Sequence, residues 1–280
     1  MGNQLASEVY FDELPEGYTI VQQLGKSRFL KTLQCSCVDG QLVVKAYIKN
    51  TDEDSSLIQK YQNELKAIHT QIQYYVNPNV LTFQTFDQND KAGYMMRQYI
   101  HNNLYERMHT RPFLIDIEKL WLTYQLMKAV ERCHFFGISH RDIKTENVLV
   151  TSWNWLYLTD FAPYKPTYIP EDNPANFYYF YDSCERRKCC IAPERYYTGE
   201  IPQEVEEYDL AKMDVFSLGC TIAELWIESG LFTYSELIQY KRGTYDPQSK
   251  ISKISNPTIQ NMVRIMIEKD KTLRPSVTDP

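Results

Sequence analysis

No run of apolar residues in this 280-residue sequence approaches the ~18 to 20 needed to cross a bilayer, and the first residues lack the basic-then-apolar layout of a secretion signal. The expectation is a soluble chain. Paired cysteines are missing too: the seven are odd in number, with Cys35 and Cys37 one residue apart and Cys189 and Cys190 adjacent. That is neither a disulfide framework nor a set of CxxC zinc ligands, and it points to a reducing, cytosolic setting. Basic charge is scarce as well. The net charge is −6 and the one dense basic run is Arg186, Arg187, Lys188, which argues against nucleic acid as the main partner. There is no internal repeat and no low-complexity block.

What is present is enough for a large core, with 43% hydrophobic and 14% aromatic residues. The chain changes character near residue 100. Residues 18–48 alternate short apolar runs with turns, which reads as an antiparallel sheet. Leu57, Tyr61, Leu65, Ile68 and Ile72 recur at helical spacing, and 89–100 suggests a further turn and strand. Beyond that, Ile117, Leu120, Tyr124, Met127 and Val130 mark one face of a long helix starting near Asp116 and stopping at Gly137. A second helix, almost wholly apolar, runs from about Asp214 to Glu228 and is closed by Gly230. The strands VLV (148–150) and WLYLTD (155–160) flank a tight turn, which brings Asn147 and Asp160 close together.

This layout resembles a eukaryotic protein kinase over about residues 18–275, and the resemblance implies roles residue by residue. In ISHRDIKTENVLV, His140, Arg141 and Asp142 followed by Asn147 match the catalytic loop. Asp142 would accept the proton of a substrate hydroxyl, Lys144 would offset charge on the moving phosphoryl group, and Asn147 and Asp160 would hold Mg2+. Lys45 in LVVKAY stands where the third-strand lysine belongs, with Glu64 its natural partner on the next helix. Glu194 in APE and Arg274 are placed to pair, Asp214 would hold the backbone of the catalytic loop, and Arg141 has a structural role. Any one of these residues alone is more often a solvated charge. The ordered set carries the reading. The implied fold is α+β and bilobal, with a small antiparallel-sheet N-lobe (18–100) and a larger, mainly helical C-lobe (101–280).

Several positions depart from the kinase pattern. The phosphate-covering loop LGKSRFLK keeps Gly25 but has Ser27 and Leu30 in place of the other glycines, so backbone N–H groups approach a phosphate less closely. Lys45, Glu64, Gly25 and Ser27 are the expected nucleotide contacts. Ala162 replaces the glycine after Asp160 and Phe161. Arg97 stands at the position that usually gates the adenine pocket with an apolar side chain, which leaves ATP or GTP as the nucleotide. Arg187 replaces the threonine that would touch Asp142 and Lys144.

MGNQLA, RQYIHNNLYERMHTRPFL, DIKTENVLVTSWNW and LTDFAPYKPTYIPEDNPANF together resemble the kinase-like regulatory subunits of class III phosphatidylinositol 3-kinase, the vacuolar protein sorting 15 family. The resemblance implies a regulatory, nucleotide-binding domain that anchors and controls the lipid kinase catalytic subunit on endosomal and autophagic membranes. The alternative is an active Ser/Thr protein kinase of low activity. It also implies acylation at Gly2 within an N-terminal segment 1–17, although the myristoylation pattern is incomplete because Ala6 stands where a hydroxyl residue belongs. Family members continue into helical repeats and a β-propeller, so the expectation is that a chain stopping at Pro280 is a fragment or short form.

Overall fold

The computed structural model describes residues 14, 17–26, 30–48, 55–89, 92–181, 186–202 and 205–277. Gly2 and Ser27 lie outside these residues. Strands β1 (Thr19–Lys26), β2 (Lys31–Cys37), β3 (Gly40–Ile48), β5 (Thr85–Gln88) and β6 (Ala92–Gln98) form an antiparallel sheet in the order β1-β2-β3-β6-β5. Period-two alternation sorts its side chains. Leu33 and Cys35, Val44 and Ala46, and Tyr94 and Met96 form a buried cluster on one face. Val43, Lys45, Met95 and Arg97 take the other face, with Val43 opposite Arg97 and Lys45 opposite Met95. Lys45 and Arg97 are therefore diagonal neighbours before any loop is considered.

Helix α1 (Ser55–Tyr75) contributes Leu65 and Ile72 to the main core, which also takes in Met95 of β6, with Tyr61 and Ile68 at its edge. The chain then makes a short strand, β4 (Val80–Leu81), that pairs in parallel with β9 (Leu156–Thr159) and not with the large sheet. Two buried asparagines hold it there. Asn77 donates to the Ala129 carbonyl at 3.1 Å, and Asn79 donates to Gln125 at 3.1 Å and to the Leu156 carbonyl at 3.0 Å. Strands β7 (Asn102–Asn103) and β8 (Val148–Val150) complete this second sheet in the order β4-β9-β8-β7.

The helical part comprises α2 (Leu104–His109), α3 (Asp116–Phe135), α4 (Pro174–Phe180), α5 (Glu207–Ile227), α6 (Tyr234–Lys241), α7 (Gln248–Ile251) and α8 (Pro257–Met266), with a parallel pair of two-residue strands, β10 (Ile169–Pro170) and β11 (Tyr196–Tyr197). The architecture is that expected from the sequence, a small antiparallel sheet followed by a mainly helical region.

Two helix readings need correction. In α3 the buried face runs through Leu122, Leu126, Ala129, Val130 and Cys133; of the residues expected to mark it, Val130 is buried, Leu120 and Met127 pack at its edge, and Ile117 and Tyr124 stay 65% and 54% exposed. Apolar residues surround this helix, so its periodicity supports more than one face; the neighbours that cover it, β9 and α5, choose between them. Helix α5 begins at Glu207, seven residues before Asp214, because a first turn with Glu207 and Asp209 suits the positive end of the helix dipole. Its end agrees with the expected Glu228, but the left-handed closing position is Glu228 itself, at φ +57°, and not Gly230. From Lys212 to Trp226 every residue of α5 is buried, as its apolar composition requires.

Candidate functional site

The cleft between the two sheets is a cavity of about 550 Å³ whose lining includes Gly25, Lys45, Arg97, Asp142, Lys144, Asn147, Asp160 and Lys165. The loop that carries His140, Arg141 and Asp142 is fixed by α5. Asp214 accepts the backbone N–H of His140 at 2.6 Å and of Arg141 at 2.8 Å, and it also meets His134 Nε2 at 3.2 Å. His140 reaches the Thr159 carbonyl at 2.7 Å, which ties the loop to the end of β9 just before Asp160. These bonds place Asp142 and Asp160 in one cavity.

Asp142 is 5% exposed, and one of its oxygens, Oδ2, receives Lys165 Nζ at 2.6 Å and Asn147 Nδ2 at 2.9 Å, with Lys144 Nζ at 3.3 Å. Burial alone would raise this carboxyl, but Lys144 and Lys165 outweigh it and bring the pKa down to about 2. Asp160, in left-handed backbone at φ +64°, pairs with Lys45 Nζ at 2.8 Å and with Arg97 Nε at 3.1 Å. Burial again pushes upward, and the Arg97 and then the Lys45 charge hold the carboxyl far below the ordinary range.

The expected pairing of Lys45 with Glu64 is not formed in this structure; Lys45 turns to Asp160 instead. The physical reason is desolvation. Glu64 is half-buried and still solvated, whereas the side chain of Asp160 is 8% exposed and depends on countercharge. Gly25 lines the cavity from β1 in open surroundings with no positive φ. Arg187 is exposed, and Lys144 donates to the Tyr181 carbonyl at 3.0 Å.

Two further features frame the site. Arg274, fully buried, makes a bidentate pair with Glu194 at 2.6 and 2.8 Å. Arg195 donates to the carbonyls of Thr167, Arg141 and Pro166 at 2.8, 3.0 and 3.0 Å and also to the Tyr181 hydroxyl, so it ties the segment after Asp160 to the loop that carries Asp142. Sequence reasoning passed over both Lys165 and Arg195. Lys165 lies in the quoted LTDFAPYKP, but no spacing rule says that its ammonium group folds back onto Asp142.

Residues 18–279 match the protein kinase domain family. The chain belongs to the protein kinase family. It is similar to the serine/threonine-protein kinase VPS15 of Arabidopsis thaliana, with 44% identity covering 100% of this chain and 19% of that protein. It also resembles the probable serine/threonine-protein kinase vps15 of Dictyostelium discoideum (44% identity; 98% of this chain, 14% of the relative). The serine/threonine-protein kinase VPS15 of Saccharomyces cerevisiae is 39% identical over 95% of this chain and 18% of its own length. The chain thus spans under a fifth of the length of these three relatives.

Protein kinase domains use ATP with magnesium, an ion that takes one or two oxygen ligands from the protein and the rest from phosphates and water. The Asp160 carboxylate and the Asn147 amide oxygen are donors of that kind on one cavity wall, so the residues fit. Among the described residues no cluster of three or more His, Cys, Asp or Glu offers a metal site built from protein alone.

Proposed function

We propose that this protein kinase domain is chiefly regulatory: it holds a nucleotide and, in that form, anchors and controls a class III phosphatidylinositol 3-kinase catalytic subunit in endosomal sorting and autophagy. The observation that carries the reading is Lys165 on Asp142, 2.6 Å from Oδ2. A carboxylate held at about 2 by ammonium groups is a poor acceptor for a hydroxyl proton. Turnover suffers from that pairing; retention of a nucleotide does not. The similarity to VPS15 proteins supports the choice of partner. An acylated Gly2 would add peripheral membrane contact, and because one acyl chain gives only marginal binding, the lipid kinase partner would supply the remainder.

The test compares Asp142→Asn with Asp160→Asn in lipid kinase complexes of matched composition. A regulatory domain predicts that Asp160→Asn, which weakens the metal–nucleotide site, disturbs assembly more than Asp142→Asn does. Equal loss of lipid kinase output from both would overturn it.

The second reading is a Ser/Thr kinase that phosphorylates its partner or itself with ATP, or with GTP if Arg97 admits guanine. It is favoured by the convergence of Asp142, Lys144, Asn147 and Asp160 on one cavity. On that reading Asp142→Asn lowers phosphate transfer by a factor of about 10² to 10⁴.

A further inference from the structure

Helix α3 shows solvent a row of large apolar side chains. Ile117, Trp121, Tyr124 and Phe135 are 65, 43, 54 and 71% exposed, more such residues than any other element presents among the described residues. Exposed Lys128 and Arg132 fill the gap between Tyr124 and Phe135 at helical spacing, so the six form a single stripe along the 20 residues of α3, about 30 Å long. Scattered exposed apolar residues are ordinary, whereas a continuous stripe marks a contact surface.

Rings at both ends of the stripe are held in place. Trp121 stacks on Tyr124 with ring centroids 5.8 Å apart and meets Trp155 edge-on at 6.4 Å, and the Trp155 indole N–H donates to the Pro78 carbonyl at 3.2 Å. The turn carrying Trp153, 80% exposed, is tied to α3 by Gln125, which donates to the Asn154 carbonyl at 2.9 Å, and by the Asn154 amide, which donates to Glu118 at 2.8 Å. At the other end Phe135 packs edge-on against Phe136 at 5.0 Å, and Phe136 stacks on Tyr75 at 3.7 Å. Side chains fixed before contact lose little entropy on being buried, which favours association.

The two halves of the stripe differ, and the difference selects the occupant. Ile117, Trp121 and Tyr124 stand in the N-terminal half, and Lys128 and Arg132 precede Phe135 in the C-terminal half. A second copy laid antiparallel, with its Phe135 over Ile117, sets Lys128 against Tyr124 and Arg132 against Trp121, so each ring faces a cation that can lie on it. Every contact then occurs twice about a two-fold axis. A parallel copy would set Lys128 and Arg132 against themselves. An anionic lipid surface is a poorer match, because Asp116, Glu118 and Glu131 of α3 outnumber its exposed cations.

We propose that α3 is a self-association surface on which two copies of this chain pair antiparallel through the stripe from Ile117 to Phe135. None of its six residues lines the cleft that holds Asp142 and Asp160, so the pairing is independent of the nucleotide reading.

Sedimentation velocity and light scattering on this chain test the proposal. A contact built on one helix face is small, so the expected result is monomer–dimer exchange with a dissociation constant on the order of 1 to 100 µM. Tyr124→Lys brings a new ammonium group against Lys128 of the copy at two places and should raise that constant by about tenfold or more. Adding Lys128→Glu to it should recover most of the loss. Should Tyr124→Lys fold poorly, Ile117→Lys weakens the ends of the same contact and should act in the same direction. Orientation is read by oxidising a mixture of Ile117→Cys and Phe135→Cys chains, which should link position 117 of one to position 135 of the other. Ile117→Cys alone should form no such link, because its two copies lie about 27 Å apart along the paired helices. A chain that stays monomeric to about 1 mM, a dimer unmoved by these substitutions, or links between two copies of position 117 would overturn the proposal. A monomer that binds vesicles of phosphatidylcholine and phosphatidylserine, and loses them with Trp121→Ala, would overturn it as well and assign the stripe to a lipid surface.

Discussion

Arg97 and Asp160 meet across the cleft, with Nε 3.1 Å from one carboxylate oxygen and Nη2 3.4 Å from the other. Lys45 adds a second cation 2.8 Å from the same carboxylate. One buried anion is thus shared by two cations, and either can serve when the other is lost. Arg97→Met and Lys45→Met should each cost about 1 to 3 kcal/mol. Together they leave an unpaired buried charge, so the double variant should lose about 0.5 to 3 kcal/mol more than the sum. Denaturant midpoints measure the cycle. Strict additivity would show that Asp160 is not shared.

The Glu194–Arg274 pair is lopsided. Arg274 has no exposed side-chain surface and also donates to the carbonyls of Glu268, Lys212 and Lys269, whereas the Glu194 side chain is 21% exposed. Arg274→Met orphans three carbonyls as well as the carboxylate and should cost about 3 to 5 kcal/mol. Glu194→Gln keeps an acceptor for the arginine and should cost about 1 to 2 kcal/mol. Thermal melts that reversed this order would contradict the bond count.

Asp142 carries a pH signature. Its folded pKa of about 2 lies below the ~3.9 of an unfolded chain, so the folded state releases the proton more readily. The resulting stabilisation, about 2 to 3 kcal/mol, is whole above about pH 4 and is lost as the pH falls through about 2. Asp142→Asn should flatten the acid limb of stability against pH over that window. Parallel curves for the two proteins, followed by denaturant unfolding, would show that the lysines do not hold this carboxyl down.

Gly137 sits after α3 at φ +69°, where a Cβ would also lie 2.0 Å from Glu207 Oε1. The clash involves the end of a flexible side chain and can be relieved; the backbone angle cannot. Gly137→Ala should therefore cost about 1 to 2 kcal/mol, and Glu207→Ala should recover little of it. Full recovery in the double variant would assign the cost to the clash.

Much of the fold was legible because it rests on local pattern. Alternation placed β2, β3 and β6, helical spacing placed α1, and the order of short motifs located His140 to Asn147 and Asp160 along the chain. Where pattern pointed more than one way it misled. Apolar residues surround α3, and of the face read from the sequence Val130 is buried and Leu120 and Met127 sit at the edge of the core, whereas Ile117 and Tyr124 are exposed because β9 and α5 cover a face turned away from them.

The sequence alone determined which charged residues this chain owns and in what order. The tertiary structure decided which of them pair. Lys45 lies 19 residues from Glu64 and 115 from Asp160, yet it takes the distant carboxylate because that one is buried and the nearer one is solvated. Lys165 reaches Asp142 from a segment that Arg195 and Tyr181 hold against the loop through the Arg141 and Pro166 carbonyls. An ion pair forms where desolvation leaves a charge without water, and desolvation at one residue is set by the packing of the whole chain around it.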